Sequence, residues 1–162
     1  MFARYDVEIT ADGAGYKFIT SSGDIYVAYF TEFVLLDPSE QEVPVVSFGF
    51  NCSRADEKKR RCYDNKIKRT IIHIIETFFY DQNDNAILYV CINNDEQARN
   101  RHITFCKWYN EFGQSFEKHS SSEVHGKLGF YGSILFKKNN PNKQKLIDSF
   151  YFTINIWGLN EG

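Results

Sequence analysis

The chain has no apolar run approaching the ~18 residues that cross a bilayer, and Met1 to Asp6 shows no apolar stretch behind a basic start. These two absences exclude a membrane-spanning helix and a secretory leader, so the expectation is a cytosolic protein with no membrane partner. A strong excess of positive or negative charge is missing too. The net charge is -2 and the pI is near 6.1, which excludes a generic nucleic-acid coat and leaves room only for a local basic patch. Four cysteines occur, at Cys52, Cys62, Cys91 and Cys106, and none forms a CxxC pair. A zinc site of the usual short paired spacing is therefore excluded, and no metal is expected. Cys91 lies in the apolar run Ile87–Ile92 and Cys106 among helical apolar positions, which reads as reduced thiols packed as small hydrophobes. No G-x-S-x-G, H-E-x-x-H or P-loop pattern occurs. His119 and His125 stand in a polar loop with no carboxylate or cysteine at a recognisable spacing.

What is present is a sequence of 162 residues with 43% hydrophobic and 25% charged residues, the balance of one globular domain covering 1–162. Aromatics reach 17%, mostly Phe and Tyr, and these favour half-buried pleated surfaces, so the core should centre on a sheet. Alternating apolar residues predict strands over Tyr16–Ser21, Ile25–Leu36 and Val45–Cys52, with a tight turn at Ser22-Gly23-Asp24. Ile67, Ile71, Ile74, Ile75 and Phe78 follow the spacing of one buried helical face, capped by Asp64, which predicts a helix over Asp64–Tyr80. Ala86–Ile92 is almost wholly apolar, as in a strand covered on both faces, and its position after a helix implies a right-handed crossover to a parallel neighbour.

Asn94 caps a second helix to Phe112, with Gln97 set for a capping box and Gly113 as its stop. Ala98, His102, Phe105, Tyr109 and Phe112 form its inner stripe. Gln114–Lys118 is a candidate strand, Ser120–Gly126 a loop, and Lys127–Lys137 a long strand. Pro141 opens a last helix from about Asn142, while the alternation Phe150, Phe152, Ile154, Ile156 leaves a strand after Ser149 as the alternative. The fold class is thus α+β, a mixed, mostly antiparallel sheet in the order β-β-β-α-β-α-β-β-α.

That order resembles the core of GNAT-type N-acetyltransferases over roughly Ile25–Phe136. Tyr109-Asn110-Glu111-Phe112-Gly113 resembles the Y-x-x-x-G-F ending of that family's second core helix, with Gln114 in place of the final aromatic, and Asn93 or Asn94 resembles the Asn that starts it. The resemblance implies a GNAT-like fold, and for an acyltransferase it implies Tyr109 as general acid; the position of Tyr109 on the apolar stripe reads instead as core packing. That family carries a glycine-containing Q/R-x-x-G-x-G/A loop for a pyrophosphate. The corresponding segment Ser53–Asn65 has no glycine, so no acetyl-CoA, and no other cofactor, is expected. The chain also resembles a family of uncharacterised small bacterial proteins through Cys91, Asp95, Arg99, Arg101 and Trp108-Tyr109, a resemblance that brings no activity with it.

The site candidates are basic. Arg60, Arg61 and Lys66 stand before the first helix and Arg99 and Arg101 near the start of the second, where parallel-strand crevices hold ligands. Together they form a candidate anion site for a phosphate-bearing ligand or a nucleic acid. A solvated charge run in 54–69 and helix-surface pairs of the arginines with Asp95, Glu96 or Glu111 are the alternatives. The leading expectation is a non-catalytic ligand- or partner-binding domain. An acyltransferase with an aberrant cofactor loop, and nucleotide or RNA binding through 54–69, stay open.

Overall fold

A computed structural model describes residues 3–60, 64–92, 98–121 and 130–160. The fold is α+β. Its strands form one mixed, mostly antiparallel seven-stranded sheet in the order β1-β2-β3-β4-β5-β7-β6. By chain position these are β1 (Glu8–Ile9), β2 (Gly15–Ile19), β3 (Ile25–Leu36), β4 (Glu42–Ser53), β5 (Ala86–Ile92), β6 (Phe116–Ser120) and β7 (Phe130–Lys137). The helices are α1 (Asn65–Asp81), α2 (Ala98–Phe112) and, as the last, α3 (Lys143–Asn160). The chain divides into two compact units, Met1–Thr31 with Phe48–Asp81, and Glu32–Ser47 with Gln82–Gly162.

In the first unit, β2 pairs antiparallel with β1 and with β3. The short β1 is a strand that alternation in the sequence did not predict, because two exposed residues carry no periodic signal. The turn from β2 to β3 closes with the Gly23 N–H donating to the Thr20 carbonyl at 2.9 Å. Gly23 takes φ of 83° there, which glycine adopts without a Cβ clash. Aromatic rings build this core. Phe18 stacks on Tyr26 at 5.0 Å and on Tyr5 at 5.9 Å, and Phe30 stacks on Phe78 of α1 at 4.7 Å. Helix α1 buries Ile71, Ile74, Ile75 and Phe78 of the expected face, while Ile67, near its start, is half-buried. Asp64 caps it, accepting from the Lys66 N–H at 2.9 Å.

In the second unit, β5 pairs parallel with β4 at Val46↔Ile87 and Ser47↔Leu88, the expected crossover pairing. β7 runs antiparallel between β5 and β6. Strand alternation sends Ala86 and Leu88 of β5, with Ile134 and Phe136 of β7, into a core with Leu146, Phe150 and Ile154 of α3. The sequence alternative of a strand after Ser149 is thereby excluded, since the tail stays helical and Phe150 and Ile154 are buried one turn apart. On the alternate positions Tyr89 meets α2, stacking on Phe105 at 4.5 Å. The expected strand starts before Phe130 and the expected start of α2 at Asn94 fall outside the described residues.

Candidate functional site

Helix α2 is more polar than α1 or α3. The buried Phe105 anchors it to Tyr89, and one turn to either side its inner stripe presents His102 and Tyr109. His102 stacks on Tyr131 of β7 at 5.2 Å. Cys106 stands one helical turn after His102, so the two side chains share a face. The Cys106 Sγ lies 3.7 Å from His102 Nε2. From β6, the Lys118 ammonium approaches the same sulfur at 3.2 Å and lies 5.3 Å above the Tyr109 ring.

A line of hydroxyls holds that ammonium in place. Lys118 Nζ donates to Ser120 Oγ at 2.7 Å, and Ser120 Oγ lies 2.9 Å from Ser133 Oγ. The pleat explains the line: Lys118 and Ser120 are two residues apart on β6 and point to one face, and Ser133 is the register partner of both Ser120 and Tyr89. Ser133 is 1% exposed and so is fixed by the core, whereas Cys106, His102 and Lys118 are half-buried. Among the described residues no carboxylate meets Lys118; its partners are the thiol, the serine and the tyrosine ring.

Two electrostatic consequences follow. Burial opposes ionisation of Cys106, but the hydrogen bonds and charges of His102 and Lys118 outweigh it and bring the thiol down to about 7. Cys91 goes the other way. Burial pushes its thiol up, and the hydrogen bonds from Tyr89 and Arg101 offset this only in part. Both thiols are free, as expected; Cys91 is buried, whereas Cys106 is half-buried with a histidine and an ammonium as neighbours in place of purely apolar packing. The site also leaves one polar atom without a partner. His102 Nδ1 is buried and makes no hydrogen bond, a state that costs free energy unless a further group reaches it.

The sequence-predicted residues divide between the two units. Arg60 and Lys66 belong to the first, where Arg60 is exposed and Lys66 Nζ lies 4.5 Å above the Tyr5 ring. Arg99 and Arg101 belong to the second, with Arg99 exposed and Arg101 on the Cys91 sulfur. Arg61 lies outside the described residues. Tyr109 donates its hydroxyl to the Phe116 carbonyl at 3.0 Å. Gly113 ends α2, without a left-handed backbone: a Cβ there would sit 2.3 Å from the Tyr109 ring. Sequence reasoning missed the Cys106 cluster. The signal within reach was the i, i+4 spacing of His102 and Cys106; the approach of Lys118 from another strand left none.

A family of unknown function, DUF6169, matches residues 63–151. The chain belongs to that family. Its matched span contains α2, β5, β6 and β7 whole, and with them Cys91, Arg101, His102, Cys106, Lys118, Ser120 and Ser133. Comparison with curated proteins and with solved structures gives no match. Among the described residues no group of His, Cys, Asp and Glu is arranged to hold a metal ion, and no helix is long and apolar enough to cross a membrane.

Proposed function

We propose that this domain binds a small ligand bearing anionic oxygens, of carboxylate or phosphate type, at the polar face of α2. One observation carries the reading: the buried His102 Nδ1 has no hydrogen-bond partner, beside a half-buried ammonium that no carboxylate of the described residues meets. A ligand oxygen would satisfy the imidazole N–H and face the Lys118 charge, and hydrogen bonds to charged groups are the stronger kind. Ser120 supplies a hydroxyl to the same ligand. The parallel β4–β5 pair, followed by α2 and an antiparallel strand, supports a GNAT-like scaffold, but the glycine-free segment Ser53–Asn65 speaks against a CoA pyrophosphate. Nucleic-acid binding through 54–69 draws less support, because the Arg54 guanidinium closes on the Lys59 carbonyl at 2.7 Å and Lys66 lies on Tyr5.

The test is a titration of the labelled protein with inorganic phosphate, acetate and malonate, followed by NMR. Shifts are expected at His102, Lys118 and Ser120, and they should vanish in His102→Phe, which keeps the ring stacked on Tyr131, and in Lys118→Met. Shifts confined to other parts of the chain, or unchanged in both variants, would refute the reading.

A further inference from the structure

The arrangement of His102, Cys106 and Lys118 goes beyond what binding requires. We propose that Cys106 is a nucleophile that accepts an acyl group from an activated ester or thioester, with His102 as its proton acceptor and Lys118 as the cation that accompanies the charge. The proposal rests on the binding reading, since the acyl donor would occupy the same polar face.

The geometry supports each role. A thiol gains nucleophilicity as its thiolate, and thiolates form beside cations and imidazoles. His102 Nε2 and Lys118 Nζ approach the Cys106 sulfur from α2 and β6. The other titratable groups around this cluster are Tyr109 and Arg101 from α2, Tyr131 from β7 and Cys91 from β5; among the described residues none is a carboxylate. Cys91, on the same face of the sheet, is buried, and there burial outweighs the hydrogen bonds from Tyr89 and Arg101 and raises the thiol.

The step balances without an added reagent. The Cys106 proton passes to His102 Nε2. The sulfur attacks the acyl carbon, an S–C bond forms, and the carbonyl electron pair moves onto oxygen. Lys118 stays beside the negative charge as it moves from sulfur to oxygen. The pair then returns, the bond from the acyl carbon to the leaving oxygen or sulfur breaks, and His102 hands its proton to the leaving group. The products are the Cys106 thioester and an alcohol or thiol. Water, in the absence of another acceptor, then cleaves the thioester to the acid and the free Cys106.

Lys118 is effective only while it is held, and here Ser120 and Ser133 enter as positioning residues. Ser133 is fixed in the core and holds Ser120, and Ser120 holds the ammonium against the sulfur.

The experiment is incubation of the full chain with p-nitrophenyl acetate and with phenyl thioacetate, read by intact mass and peptide mapping across pH. Acetylation is expected at Cys106 in preference to the other three cysteines, rising through a midpoint near 7. It should be absent in Cys106→Ala. Lys118→Met and Ser120→Ala should each raise the midpoint, and Ser120→Thr should restore it. A midpoint raised by about one pH unit means about fivefold less thiolate, and so slower acetylation, at neutral pH. Even labelling of the four cysteines, a midpoint in the ordinary thiol range, or a midpoint that Lys118→Met leaves in place would overturn the proposal. The wild-type profile alone decides the first two outcomes, whatever the variants do to folding. Anion-induced NMR shifts without acetylation would sink the nucleophile and leave the binding reading standing. Selective acetylation without those shifts would do the reverse.

Discussion

Thr153 ties the last helix to the sheet through one hydroxyl. Its Oγ accepts from the Leu36 N–H at 2.9 Å and donates to the Leu36 carbonyl at 3.2 Å, and the residue is 5% exposed. The hydroxyls of Thr77 and Ser149, by contrast, bond carbonyls of their own helices, those of His73 and Lys145. Thr153→Val keeps the shape and removes both bonds. Each is worth about 0.5–1.5 kcal/mol net, and leaving the Leu36 groups without their partner adds a desolvation cost of about 1–3 kcal/mol. These contributions overlap, so the expected loss is about 2–4 kcal/mol. At about 2–4 °C per kcal/mol for a chain of this size, Tm should fall by about 4–16 °C. Thr153→Ser keeps the hydroxyl and loses one methyl, about 1 kcal/mol. Urea denaturation followed by circular dichroism, with m-values compared, measures all three proteins. A Thr153→Val protein within about 0.5 kcal/mol of wild type, or a Ser variant as weak as the Val variant, would refute the assignment of this stability to the hydroxyl.

Further outcomes follow from other packed positions. Ile71 is 1% exposed on α1, and Ile71→Ala should cost about 2–5 kcal/mol by leaving a cavity, measured by the same denaturation. Gly113→Ala would bring a Cβ within 2.5 Å of the Tyr109 carbonyl oxygen; the backbone must shift, and a loss at or above the ~1–3 kcal/mol of ordinary overpacking is expected. Glu117 is held below the usual carboxylate range by Lys143 at 2.7 Å and by His119 at 3.0 Å. A depressed carboxyl stabilises the fold above its unfolded pKa and loses that contribution as pH falls through the folded value. Glu117→Gln should therefore melt below wild type at neutral pH and converge with it in acid; a Tm difference independent of pH would count against the ion pair.

Much of the frame was legible in the chain itself. Ile71, Ile74, Ile75 and Phe78 fall on one buried face of α1 because helical periodicity depends only on local geometry. Ala86–Ile92 is a strand with the bounds its apolar run marks, and its parallel pairing with β4 follows from chirality rules that hold for any crossover. The basic residues were equally visible, but their partners were not. Lys66 rests on Tyr5 and Arg101 on Cys91, and neither neighbour is close in sequence.

The sequence by itself determined the α+β class, the helical stripes, the turn at Gly23 and the shortness of every apolar run, because each rests on composition or on spacing within one element. Tertiary structure alone decided the rest. Phe150 and Ile154 suit a helix or a strand until the sheet offers Leu88 and Ile134 to a helix face. Cys106 is an apolar position by pattern, and only the pairing of β6 with β7 sets Lys118 and its serine line against it. A thiol's ionisation depends on charges within a few ångströms in space; His102 is local to the helix of Cys106, but the Lys118 ammonium comes from a strand that only folding brings to it.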